Sequence, residues 1–181
     1  MPAISHRTDS PSERQRVCRL RDGTLLHLRP IRAGDAALER DFLSHLSPEY
    51  RAYRFLGLIK SPSAQVVEEL THPDPDEIVL AALVTSAGRT REIGVARYRP
   101  RDDGKNCDCA VTVDPAWQQL GVGRLLMQNL IDVARSNGIR QMYAVDAARC
   151  FGAHKLAEGL GFHTRPDPED PASTMFELSL R

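Results

Sequence analysis

Residues 106–126, NCDCAVTVDPAWQQLGVGRLL, limit the possible folds more than any other stretch of the chain. NCDCAVTVD reads as a strand ended by Pro115, and a long helix follows from about Val122 to Asn137. Leu126, Leu130, Val133 and Ala134 fall on one stripe of that helix, and Gly138 stops it. A strand ending near Val113 and a helix starting near Val122 gather several unpaired amides at one point. A helix N-terminus carries about half a unit of positive charge and favours phosphate. Gly121 and Gly123 leave the main chain bare for an anion to approach, and Arg124 offers a charge-assisted contact. The pattern predicts a pyrophosphate ligand. No GKS or GKT pair follows the glycines, which speaks against a nucleotide-hydrolysing P-loop. The loop also comes after the fourth predicted strand, whereas a dinucleotide-binding fold places its loop after the first.

The remaining elements follow from apolar spacing and punctuation. TLLHLRPI (24–31) predicts a first strand. Leu38, Phe42, Leu43 and Leu46 predict an amphipathic helix with Asp35 as its N-cap, closed by Pro48. Ser61 followed by Pro62 marks a second helix start, with Val66, Val67 and Leu70 facing inward. EIVLAALV (77–84) and EIGVARYRP (92–100) predict a hairpin, the latter alternating Ile93 and Val95 against Gly94, Ala96 and Tyr98. After the long helix come the strand QMYAVDA, a helix over 150–160 stopped by Gly161, and the strand STMFELSL. The order β, α, α, β, β, β, α, β, α, β is α+β in character, because strands cluster before the long helix and alternate with helices only afterwards.

At 181 residues the chain suits one domain that buries roughly 70% of the surface its unfolded form exposes. The expected division is a flexible arm over 1–16 and a single domain over 17–181. The arm lacks the apolar stretch of a secretory signal, and no apolar run approaches the ~18 residues of a membrane span. Lys and Arg total 24 against 24 Asp and Glu, so no global field draws the protein to nucleic acid or to an anionic membrane. Cys18, Cys107, Cys109 and Cys150 are too few and scattered for a disulfide framework and fit a reducing compartment, hence the cytoplasm. Cys107 and Cys109 alternate on a strand without a second pair or nearby histidines, so no metal is expected.

QQLGVGRLL fits the (Q/R)xxGx(G/A) signature of the GNAT superfamily of N-acetyltransferases, with Gln118, Gly121 and Gly123 at the signature positions. LAEGLGF (156–162) resembles that superfamily's terminal motif, and the element order resembles its fold over residues 17–181. RPIR (29–32) and SPEYRAYRFLG (47–57) are similar to the catalytic domain of bacterial protein lysine acetyltransferases. The resemblance implies a mixed, mostly antiparallel central sheet with helices on both faces. It also implies acetyl-CoA as cosubstrate, with an amine acceptor that is either a protein lysine or a small molecule. By position, Gln118, Gln119, Leu120, Gly121, Val122, Gly123 and Arg124 would hold the pyrophosphate. Val111, Thr112 and Val113 would pair with the pantetheine arm on a strand splayed from its neighbour, the Val111 amide steadying the thioester oxygen.

An amine with a pKa near 10.4 costs about 4.6 kcal/mol to neutralise at pH 7, so transfer needs a base. Similar family members carry a glutamate ten residues before the signature glutamine, and here that position is Asp108. The shorter side chain favours a relay through water, and Glu92, Tyr98 and His27 are the fallback bases. The asparagine frequent at the start of the family's last helix is Cys150, and the tyrosine often used to protonate the leaving thiolate is Ala157. Cys150, His154 and Ala157 share one helical face, which puts Cys150 beside the cofactor and His154 forward for that proton. These departures keep a second reading alongside the enzyme, a non-catalytic CoA-binding sensor. The acceptor and the acyl-chain preference are not legible, and a homodimer is left open.

Overall fold

The computed structural model describes residues 15–46, 63–147, 151–167, 170 and 172–180. Eight strands form one sheet: β1 (Arg16–Arg19), β2 (Leu25–Pro30), β3 (Ile78–Ser86), β4 (Arg89–Pro100), β5 (Asn106–Val113), β6 (Gln141–Ala147), β7 (His163–Pro166) and β8 (Ser173–Ser179). Their order is β1-β2-β3-β4-β5-β6-β8-β7, and every neighbouring pair is antiparallel except β5 with β6. The helices are α1 (Ala36–His45), α2 (Ala64–Thr71), α3 (Val122–Ser136) and α4 (Phe151–Gly159). The mixed, mostly antiparallel sheet with helices on both faces is the architecture expected.

Two apolar layers sandwich the sheet. On one face Val122, Leu126, Met127, Leu130 and Ile131 of α3 pack with Leu80, Ala96, Tyr98 and Cys107 of the strands, together with Ala157 of α4. On the other, Phe42 and Leu43 of α1 and Val67 and Leu70 of α2 cover Val79 and Val95. The predicted stripe of α3 is buried, and Gly138, with φ 80°, ends the helix as expected. Gly94 lies where α3 packs on β4. A Cβ there would meet the Thr112 carbonyl oxygen at 3.0 Å, Leu126 Cδ1 at 3.1 Å and Val122 Cγ1 at 3.4 Å. Gly94→Val should therefore cost about 1–3 kcal/mol, read as a lower denaturation midpoint at unchanged slope.

Several local expectations change. Strands β1 and β7 have no counterpart among the predicted elements; both are edge strands of four residues with almost every side chain in water, so no apolar alternation marks them. In α1 the inward residue after Asp35 is Glu39, and Leu38 is only half-buried. Asp35 stands at the N-cap position of α1 as expected, yet its side chain makes no capping bond to that helix; its carboxylate accepts two bonds from Arg29, at 2.6 and 2.7 Å, and one from the Arg32 amide. Helix α2 is capped by Ser63, whose hydroxyl accepts from the Val66 amide, while Ser61 and Pro62 lie outside the described residues. Ile93 and Val95 do not share a face. A bulge opposite Ala82 and Leu83 leaves Ile93 unpaired, sending it to the α3 side and Val95 to the α1 side.

Candidate functional site

The site begins where two parallel strands part. Strand β5 pairs with β6 only from Asn106 to Asp108, opposite Gln141 to Tyr143, although β6 continues to Ala147 and pairs with β8 along its whole length. The sheet therefore opens as a V beside the second half of β5, the segment carrying Val111, Thr112 and Val113. Across its other edge β5 stays in register with β4, Val111 opposite Ala96 and Val113 opposite Gly94. Thr112 lies opposite Val95, so its side and that of Asp108 face the α1 layer.

At the mouth of the V the chain turns into α3. The Asp114 amide donates to the Ile93 carbonyl, and the Asp114 carboxylate caps the next turn by accepting from the Ala116 amide at 2.9 Å. The Gln118 side-chain amide donates back to the Val113 carbonyl at 3.3 Å, tying the loop to the strand end. Gln119 and Gly121 both adopt left-handed backbone, with φ of 63° and 99°. Helix α3 makes its first internal bond from the Leu125 amide to the Gly121 carbonyl, so the amides of Val122, Gly123 and Arg124 belong to its unladdered first turn. A Cβ on Gly121 would meet nothing within 4 Å. Space and a bare main chain coincide there.

The two signature glycines do different work. Gly121 supplies the left-handed turn, whereas a Cβ on Gly123 would press on Leu156 Cδ2 at 3.4 Å and Val113 Cγ2 at 3.5 Å. Gly123 thus lets α3 sit close to α4 and β5. Arg124 donates through Nη1 to the Gly159 carbonyl at 3.0 Å, so its guanidinium fastens the end of α4. Val122 is buried in the core, and its side chain anchors the helix start.

Asp108 sits at the root of the V, with its carboxylate largely exposed. Arg101 grips it through Nε at 3.0 and 3.2 Å and Nη2 at 2.6 Å, and the guanidinium carbon lies 4.3 Å above the Tyr143 ring. The His154 ring packs edge-on against Phe176 at 5.1 Å, and its Nε2 is buried without a hydrogen-bond partner among the described residues. Cys150 lies outside the described residues. Among the fallback bases, Tyr98 is buried and its hydroxyl accepts from Asn137 at 2.7 Å; burial pushes the phenol up. His27 lies on outer strand β2 within 3.3 Å of Gln15. Glu92 is buried on the α1 side of β4 beside Glu39, a residue that nothing in the apolar pattern singles out. Burial pushes the Cys107 thiol up to about 12, which removes it as a nucleophile.

The model of the acetyltransferase (GNAT) family matches residues 41–162. The chain belongs to this family. As a GNAT acetyltransferase it is 41% identical over 162 residues to a Pseudomonas aeruginosa protein named as an acetyltransferase, covering 89% of this chain and 87% of that one. The GNAT domain of S. lividans PAT has the same fold at a TM-score of 0.80 and 28% identity, over 91% of this chain and 96% of that chain. A cAMP-binding acyltransferase from Mycobacterium smegmatis shares the fold at a TM-score of 0.63 and 22% identity, with 94% of this chain spanning 48% of that longer one. The family transfers acetyl groups and generally takes acetyl-CoA as cosubstrate. The loop fits that molecule: it combines a left-handed glycine, open space over it and a helix first turn beside a parted strand pair.

Proposed function

We propose that this GNAT acetyltransferase moves the acetyl group of acetyl-CoA directly to an amine, a protein lysine or a small molecule, with both substrates bound together. Acetyl-CoA supplies an activated thioester. The main-chain amides from Gln119 to Arg124 hold its diphosphate, Gln118 braces the loop, and the edge of β5 at Val111 to Val113 aligns the arm and steadies the carbonyl oxygen. The amine arrives on the α1 side of the sheet, where Asp108 and Thr112 face, and gives up its proton toward Asp108 through water. His154 on α4 serves the departing thiol. The observation that carries this reading is the parting of β5 from β6 directly beside the left-handed turn at Gly121. Among the described residues Cys18, Cys107 and Cys109 form no disulfide, which supports a reducing, cytoplasmic setting.

Thermal shift separates the ligand classes. Acetyl-CoA at about 100 times its dissociation constant adds about 2.7 kcal/mol, which for a domain of this size raises Tm by roughly 5–10 °C. ATP and NAD at the same concentration should leave Tm within a degree or so. Stabilisation by ATP or NAD without CoA would replace the reading with a nucleotide-binding one. Tight acetyl-CoA binding with no thiol release across lysine peptides and small amines would leave a sensor.

A further inference from the structure

The apolar layer under α1 contains an anomaly. Glu39 on α1 and Glu92 on β4 are each 1% exposed, and they face one another between the helix and the strand. All four of their carboxyl oxygens are buried, and no donor among the described residues reaches any of them. The nearby charges are committed elsewhere. On β2, Arg29 is taken by Asp35 in the paired bonds at 2.6 and 2.7 Å. Arg97, on β4, leans on Glu77 at 3.5 Å. Arg91, next to Glu92 in sequence, faces Asp41 and Asp114 at 3.8 Å and His45 at 3.2 Å. Two buried carboxylates without a donor repel each other; a single proton between them supplies the missing donor and removes the second charge.

We infer that Glu39 and Glu92 share one proton, and that this proton is a pH-sensitive clasp holding α1 on β4. Its link to the site is short. Strand β4 hands the Ile93 carbonyl to the Asp114 amide at the start of the cofactor loop, while Arg91 joins Asp114 to Asp41 and His45 of α1. Glu39 and Glu92 are positioning residues: neither reaches the V, but together they fix the helix layer that flanks the face carrying Asp108. The part of the inference that concerns turnover rests on the proposed amine side; the clasp itself does not.

The direction with pH follows from burial. Desolvation raises both carboxyls above the usual 4.5, and Glu92 furthest, because the Glu39 charge adds to its burial. The folded state therefore keeps a proton that the unfolded chain has already lost. The clasp contributes its full stability below pH 4.5 and loses it as pH rises toward the raised folded value.

The test is a pH series of thermal unfolding on the apo protein, paired with infrared detection of a protonated carboxyl. In the wild type a carboxylic C=O band should persist at neutral pH and vanish reversibly on alkaline titration, with faster hydrogen exchange of α1 amides across the same interval. Glu92→Gln, whose amide donates permanently to Glu39, should lose the band and flatten the Tm curve. In turnover, KM for the amine should climb on the alkaline side in the wild type and not in the variant, with kcat little changed. If Glu92→Gln does not fold, Glu39→Gln carries the same expectations, and the wild-type band decides by itself. A wild type with no protonated-carboxyl band at neutral pH, or Tm curves parallel in wild type and variant, overturns the inference. The band and the apo unfolding do not depend on acetyl transfer, so their failure is distinguishable from a failure of the proposed function.

Discussion

Asp108→Asn lowers kcat/KM for the amine by about 10²–10⁴-fold at neutral pH, and by less as pH nears the amine's own pKa. At neutral pH almost all of the acceptor is ammonium, so the base both attracts a cation and removes its proton; once the amine is neutral in solution, neither service is needed. Arg101 holds the Asp108 carboxylate by three contacts of 2.6–3.2 Å. That grip fixes the carboxylate at the root of the V and occupies both of its oxygens, in keeping with a proton relay through water. Arg101→Gln is the companion variant. Freed of its internal cation, Asp108 should bind the ammonium more tightly, and KM for the amine should fall several-fold while Asp108→Asn raises it. Steady-state kinetics from pH 6 to 10 reads both. Full activity of Asp108→Asn at every pH would transfer the proton to another group.

Gly121→Val weakens acetyl-CoA binding by ten-fold or more, about 1.4 kcal/mol, with little change in the Tm of the apo protein. The φ of 99° lies where a β-branched side chain is strained by about 1–3 kcal/mol. A Cβ added at Gly121 would find no neighbour within 4 Å to clamp it, so the loop yields before the fold does. A relaxed loop turns its amides away from the point where they converged. Gly123→Val gives the opposite pattern: Leu156 and Val113 already lie 3.4 and 3.5 Å from the new Cβ, so it lowers Tm first. Calorimetric titration with acetyl-CoA beside thermal unfolding distinguishes the two glycines. Unchanged affinity in Gly121→Val would remove the turn from the binding site.

How much of this the sequence discloses varies with the physical signal. The strand, loop and long helix around Gly121 are legible because a β-run, left-handed punctuation and a 3.6-residue stripe agree there. The edge strands Arg16–Arg19 and His163–Pro166 are not, because edge residues in water carry no burial pattern. The bulge that separates Ile93 from Val95 is hidden, since one inserted residue swaps faces while leaving the composition unchanged, and Gly94 is its only trace. Glu39 is invisible for a related reason: polar letters are read as solvent-facing, and its partner Glu92 is far away along the chain. The signature glutamine and glycines locate the loop. They do not reveal that Gly123 serves packing, that Arg124 is engaged with Gly159, or that Arg101 holds Asp108, because each depends on register between distant segments.

We propose that main-chain amides at the α3 entry grasp the diphosphate of coenzyme A while its arm lies along β5. A crystal structure of the protein with coenzyme A tests it most directly. Diphosphate oxygens should lie about 2.7–3.2 Å from amides between Gln119 and Arg124, with the arm in the V between β5 and β6. A cofactor bound anywhere else, with the Gly121 turn facing solvent, would contradict it.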